Sequence, residues 1–458
     1  MSHSHPHEDH EDEPDQSDID EQDVVEVYED DGDQMMDEEE DNEGYDGEII
    51  IGAPPEEMGE GMDVEREDNS WGVTSLHASG QSVFTISLHP LFPSPPLAIS
   101  GGEDDLGYIF CPLPPSSTTD INSDTFPPTK LTGHTDSVVA VGWSHDGEMV
   151  ATGGMDGRVR VWRRVGKDGW KIWEFLTSLE TGSEVVWLQW HPKGPVLAVG
   201  CEDAQVWMFN LPSGQTMAVL SSHTLSSTAG LFPNPAKSLL TSSLDSSLIL
   251  WDPRSPTPIW KTSIFAPPNS PELNPATHGI TSLAVSPNGQ IAAVGGAAGG
   301  VKLVNLAKGN VLNTLVGHAE GESVEALQFI DLFQGAGGGK GVVLISGGTD
   351  GKGFVWDVNT GRVRAEIQHE EPITSLAPHP PPKVHLITSA SADSTLKTWD
   401  VRTGVLVAEH KGHAGVVNGV CVAPAPVPAP SSDSPDESVD SQVVVSAGDD
   451  GVSLIWRI

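Results

Sequence analysis

Residues 131–162 read LTGHTDSVVAVGWSHDGEMVATGGMDGRVRVW, and this stretch decides the fold. It holds three runs with apolar residues at alternate positions: Val139–Trp143, Met149–Thr152 and Val159–Trp162. Alternation with period two marks a strand with one buried face. His145-Asp146-Gly147 and Met155-Asp156-Gly157 separate the runs. Asp offers hydrogen bonds to the turn backbone, and Gly accepts the positive φ that tight hairpins need. The stretch predicts a three-stranded antiparallel meander opened by Gly-His and closed by Trp.

Copies of this unit fill the rest of the chain. With the closing aromatic or its equivalent as a ruler, eight copies end at Phe110, Trp162, Phe209, Trp251, Val304, Trp356, Trp399 and Trp456, spaced 42 to 57 residues apart. That is the period of a propeller blade of four strands. An Asp stands six positions before the closing residue in every copy except the fifth, which has Ala298. Ser or Thr lies four positions before the Asp in six copies, and a His (His77, His134, His223, His278, His318, His369, His413) precedes the first strand in most. The last copy ends at Trp456, so its fourth strand must come from elsewhere; Trp71–Leu76 is the candidate that closes the ring.

The recurring constellation resembles the WD-repeat family, over about residues 71–458. The resemblance implies an all-β, eight-bladed WD-repeat propeller in which His, Ser or Thr, Asp and Trp of one blade form a hydrogen-bonded structural relay. In this sequence the relay residues are His134, Thr152, Asp156 and Trp162 in the second blade. In the sixth they are His318, Ser346, Asp350 and Trp356, and in the eighth His413, Ser446, Asp450 and Trp456. A His–Asp–Ser set invites a hydrolase reading, but a catalytic site is not repeated around one domain. A buried carboxylate needs partners, and the relay supplies them. The fifth blade has lost Asp and Trp, so its relay cannot form and it is expected to be the least firmly held.

Charge is unevenly spread. Residues 1–70 hold 30 Asp and Glu and one basic residue, Arg66, out of a chain net of −43; about −14 remains for the other 388 residues. So much like charge with so few apolar residues predicts a disordered acidic tail. Its four histidines (His3, His5, His7, His10) have no metal-site spacing, and Val24–Tyr28 and Glu48–Met58 are apolar islands within it. Cys111, Cys201 and Cys421 show no metal-like spacing. The chain shows no secretory signal and no apolar run near 18 residues, which predicts a protein of the cytoplasm, with the nucleus as a second compartment, with reduced thiols and no membrane contact.

No cofactor fingerprint, metal motif or nucleophile–base pair stands outside the repeats, so no catalytic, cofactor or metal residue is assigned. Gly335–Gly341 is followed by no Gly-Lys-Ser/Thr and is not a phosphate loop. The sequence predicts a binding platform, not an enzyme. Propellers of this type bind on the rim where the turn between strands two and three meets the start of strand one. The residues before the relay Asp include Glu103, Glu202 and Asp449. At the strand starts stand Ser82, Phe84, Glu184, Glu325, Thr374 and Asn418, with Asp136, Glu322 and Glu371 close by. None is Lys or Arg. A negative rim argues against direct nucleic-acid binding and for a Lys/Arg-rich partner. Phe84 and Trp187 are candidate apolar anchors.

A closer resemblance is carried by the acidic tail, SVFTISLHP and LAISGGEDD of the first blade, GHTDSVVAVGWSHDGEMVATGGMDG of the second and VVWLQWHPKGPVLAVG of the third. These are similar to the family of the angio-associated migratory cell protein and its fungal counterpart, the chaperone of large-subunit ribosomal protein ten. The resemblance implies a monomer that captures the basic N-terminal segment of that newly made ribosomal protein and meets the pre-ribosome transiently. Two other readings use the same fold. Trp251-Asp252-Pro253-Arg254 and Trp399-Asp400-Val401-Arg402 fit the WDxR pattern of substrate receptors of a cullin-type ubiquitin ligase, and a histone-binding scaffold would also take a basic ligand.

Overall fold

The computed structural model describes residues 67–114, 126–166, 169–255, 257–266, 273–334, 341–426 and 440–458. The acidic tail up to residue 66, with its histidines and apolar islands, lies outside them, as do Gly335–Lys340 and most of the insertion before Ser441. Eight four-stranded antiparallel sheets make up the domain, and the expected eight-bladed propeller is the fold. Blade one runs from Val83 to Leu131, and blades two to seven follow in order to His410. Blade eight takes three strands from Val417–Arg457 and its fourth from Gly72–Thr74, which pairs antiparallel with the last strand, Gly72 opposite Ile455.

Each blade buries both faces of its inner strands against its neighbours. Ala140, Val159 and Val161 of blade two, for instance, share one core with Val185, Leu197, Val199 and Phe209 of blade three. A strand buried on both faces reads as a near-continuous apolar run, which is why the second strands (Met149–Gly154, Val342–Gly348) carry so few polar residues.

One irregularity recurs in all eight blades. The register between first and second strands slips just after the first residue of the first strand. The residues skipped are Phe84, Val139, Val186, Thr228, Thr281, Glu325, Thr374 and Asn418. A bulge re-aims the side chain of its extra residue. Here it sends several toward the next blade: Thr281 Oγ1 donates to the Val324 carbonyl at 2.7 Å, and Asn418 Nδ2 to the Val83 carbonyl at 3.0 Å. These bonds stitch consecutive blades at the mouth of the central axis.

Candidate functional site: the propeller rim

The relay fixes the rim, so its geometry comes first. In blade six His318 Nδ1 lies 3.1 Å from Asp350 Oδ1, its Nε2 lies 2.7 Å from Ser346 Oγ, and Trp356 Nε1 donates to the same oxygen at 2.9 Å. Blade seven repeats this with His369, Asp393, Ser389 and Trp399. The Asp carboxylate also accepts the backbone N–H groups of the loop and of the turn, Ala319 and Lys352 in blade six. Burial would raise the Asp350 carboxyl, but these donors and His318 hold it below the usual carboxylate range. The imidazole lies against the Gly pair before the turn. A Cβ on Gly154 or Gly348 would sit within 2.6 Å of the relay His Nδ1, so no larger residue fits.

Blade four inserts a hydroxyl. Ser247 Oγ bridges Asp245 and His223 Nδ1, His223 Nε2 meets Thr241 Oγ1 at 2.8 Å, and Trp251 donates to Thr241 at 2.8 Å. Two of the sequence-derived relays depart from expectation at the indole. Trp456 donates to Asn69 Oδ1 at 3.0 Å instead of to Ser446, while His413, Ser446 and Asp450 join as expected. The chain segment that closes the ring passes there and offers the better-placed acceptor. Trp162 makes no hydrogen bond to Thr152 among the described residues; it packs edge-on against Phe175 at 5.9 Å, beside the linked His134, Asp156 and Thr152.

In blade five the relay position is occupied by Phe265, not by His278. A Cβ on Gly296 or Gly300 would come 2.8 Å from the Phe265 ring, the place where the other blades hold imidazole. Phe265 stands two residues after the fourth strand of blade four, the same offset as His223 after the strand before it. The insertion that follows carries His278 away into the short helix Pro275–His278, where its Nδ1 accepts from the Asn274 N–H. An aromatic side chain in the slot was the signal that sequence spacing alone obscured.

On this framework the acidic residues fall on one face. Glu103, Asp136, Glu184, Glu202, Glu322, Glu325 and Glu371 are exposed, and Asp449 is half-buried. They belong to blades six, seven, eight, one, two and three, which are contiguous around the ring, and none comes from blades four and five. The carboxylates form an arc that is open at blades four and five, where Lys261 and Lys302 reach the same end of the strands. Glu184 and Glu202 are held side by side, the Glu202 N–H donating to the Glu184 carbonyl at 3.0 Å. Thr349 Oγ1 donates to Glu322 at 2.6 Å and Ser323 Oγ to Glu325. Asp449 is oriented by Asn418 Nδ2 at 2.6 Å, and Glu103 accepts from the Ser82 N–H at 3.0 Å. The side chains of Glu184, Glu202 and Glu371 have no bonding partner among the described residues.

Sequence reasoning missed Asp105. It takes a left-handed turn conformation (φ 61°), and burial together with the charges of Asp136, Asp104 and Asp156 pushes its carboxyl up. It thus joins Asp136 across the boundary of blades one and two. Trp187 is not a free anchor: its indole is wedged against Gly200 and Gly230 and donates to Ser227 Oγ at 3.1 Å, tying blade three to blade four. Phe84 is half-buried at the bulge.

The two WDxR arginines differ. Arg402 folds back onto Asp400, with Nε at 2.9 Å and Nη2 at 2.6 Å, whereas the Arg254 guanidinium is unpaired among the described residues. Among those residues no group of three His, Cys, Asp or Glu is placed to hold a metal, and no helix is long and apolar enough to cross a membrane.

Comparison with known proteins agrees with this architecture. The WD domain, G-beta repeat, matches residues 126–163, 271–305 and 361–400. An uncharacterised WD repeat-containing protein of Schizosaccharomyces pombe is 33% identical over 379 residues, covering 82% of this chain and 84% of the relative. The human angio-associated migratory cell protein is 28% identical over 367 residues, 77% of this chain and 75% of its own length. The crystal structure of Chaetomium thermophilum Sqt1 bound to the N-terminus of ribosomal protein L10 superposes with a TM-score of 0.69 at 26% identity, covering 86% of this chain and all of that one. The chain belongs to the WD-repeat family and is homologous to angio-associated migratory cell protein and to Sqt1.

Proposed function

We propose that this chain is a non-enzymatic chaperone that receives the basic N-terminal segment of ribosomal protein L10 along its acidic arc. The observation that carries the reading is the composition of the rim. The turns between second and third strands (103–106, 155–157, 202–204, 244–246, 297–300, 349–351, 392–395 and 449–451) contain no Lys or Arg, and three of them add acid beyond the relay Asp: Glu103 with Asp105, Glu202, and Asp449. Sqt1, homologous along nearly its whole length, has been solved with the L10 N-terminus bound. A newly made ribosomal protein is rich in Lys and Arg, and a row of carboxylates masks such charge from RNA until delivery to the pre-ribosome. The cytoplasm, and the nucleus as a second compartment, is where this work is done. Preset carboxylates such as Asp449 and Glu103 lose little freedom on binding, which favours affinity, and the free Glu184, Glu202 and Glu371 can follow the ligand.

The test is a calorimetric titration of the full chain with the L10 N-terminal peptide at 50 and 300 mM salt, beside a Glu184→Lys/Glu202→Lys/Glu371→Lys variant. Those three side chains hold nothing in place, so the variant should fold. Expected are at least tenfold weaker binding in the variant and a steep loss with salt. Equal binding by the two proteins would remove the arc as the receptor, and absence of binding at low salt would remove the partner.

A further inference from the structure

In an antiparallel meander the turns after strands one and three lie at the opposite end from the turn after strand two. Those turns therefore form the face opposite the rim. Its carboxylates are largely paired, Glu148 with Arg164, Asp357 with Arg364 and Asp400 with Arg402, whereas Lys193, Lys237, Arg254, Lys308 and Arg362 stand there without an ion pair among the described residues. Between blades three and four this face opens into a cavity of about 600 Å³. Val196, Met208 and Met217 supply its apolar surface, and Met217 is about half exposed. Lys237 and Arg254 stand at its edge, both exposed and both without an ion pair or side-chain hydrogen bond among the described residues. The wall is fixed: His191 Nδ1 accepts from the Lys193 N–H, so its Nε2 carries the proton and donates to the Ala236 carbonyl at 2.8 Å. Asp252, the one carboxylate in the lining, is turned into its own loop, accepting from the Arg254 N–H at 3.0 Å.

We propose that this cavity is a second binding site, for an acidic peptide with one large apolar side chain. The apolar side chain would seat against Met208, Met217 and Val196, since thioethers adapt to varied shapes. Flanking Asp or Glu would pair with Lys237 and with Arg254, whose planar fork suits a carboxylate. The volume falls within the range of ligand pockets, roughly 300–1,000 Å³. A nucleic acid is the poorer fit, because two cations on an acidic body cannot offset the repulsion of many phosphates. The site is independent of the rim: opposite ends of the strands build it, and it selects the opposite charge.

A phage library of random 12-residue peptides, panned against the full chain and against a Lys237→Glu/Arg254→Glu variant, tests this directly. Wild type should enrich acidic peptides centred on Leu, Ile, Met or Phe, and the variant should not. The best peptide, measured by fluorescence anisotropy, should bind the variant and a Met217→Asp variant at least tenfold more weakly. An unchanged circular dichroism spectrum and melting temperature report that the variants are folded. Recovery of basic peptides alone, acidic peptides that bind the double variant equally well, or displacement of the lead peptide by a single-stranded oligonucleotide would each overturn the proposal. Loss of L10 binding with acidic-peptide binding intact would bear on the rim and leave this site standing.

Discussion

Blades four and five are neighbours in the ring and solve the same problem in opposite ways. Blade four fills its inter-strand slot with a polar chain, Asp245–Ser247–His223–Thr241–Trp251, in which every buried group has a partner. Blade five fills the equivalent slot with the Phe265 ring, capped by Lys302, whose ammonium lies 5.0 Å from the ring centre and donates to the Ile264 carbonyl at 2.9 Å. The slot must be filled, but the filling need not be polar. A polar filling demands complete satisfaction, because a half-satisfied network is worse than none. An apolar filling asks only for volume.

The sharpest way to break this contrast is Asp245→Ala. Removing the carboxylate leaves the Ser247 and Thr224 N–H groups without their acceptor and the Ser247 hydroxyl with His223 alone, so we expect a loss of about 3 kcal/mol, read from denaturant unfolding. A loss below 1 kcal/mol would mean that blade four relies on packing as blade five does.

Acid should separate the two kinds of blade next. Blade seven, together with Gln442 of blade eight, holds a second buried chain, Gln442–His379–Thr388–Thr398–His410. Burial pushes His379 down to about 4, and burial together with His379 pushes His410 down to about 4. Both are neutral when folded and take up a proton on unfolding near pH 6.5. Stability is therefore full above pH 6.5 and falls as pH drops toward 4, by on the order of 3 kcal/mol per histidine. The depressed carboxyls of Asp350 and Asp450 add their loss below pH 4. Thermal unfolding from pH 7 to 4.5 should show this slope, and His379→Gln should remove about one proton from it; an unchanged slope would place the titration elsewhere.

Phe265→Ala should cost somewhat less, about 2 kcal/mol, because the ring is only half-buried, and the cost should not depend on pH. Phe265→His should not restore stability, since Ala298 offers the imidazole no carboxylate. A His variant as stable as the parent would show that the slot needs only an aromatic ring. The smallest effect should come from Asn69→Ala, about 1 kcal/mol, through the Trp456 indole and the backbone of Lys411 and Glu409. It should appear as faster hydrogen exchange confined to blade eight.

Much of this was legible in the chain. The relay is visible because buried carboxylates need fixed partners at fixed offsets, and repetition separates that demand from chance. The rim positions follow from the repeat because, in an antiparallel meander, position along the repeat gives direction in space; the bulge that recurs in every first strand was not legible. What escaped were departures from the period. Phe265 carries none of the relay's polar chemistry, and the insertion after it offered His278 as a decoy. Asn69 meets Trp456 only because the ring closes, across 387 residues. The His379–His410 chain sits outside the repeat offsets altogether. Asp105 follows the relay Asp104 directly, and only its left-handed backbone sets it among the charges that include Asp136.

Among the described residues, carboxylates without a partner (Glu184, Glu202, Glu371) stand at one end of the strands and cations without one (Lys237, Arg254) at the other, an asymmetry that points along the central axis. An approaching polycation feels a torque that presents the rim before any contact is made, and an approaching polyanion turns the molecule the other way. Productive collisions are thus selected at a distance of about one Debye length, roughly 8 Å at physiological salt.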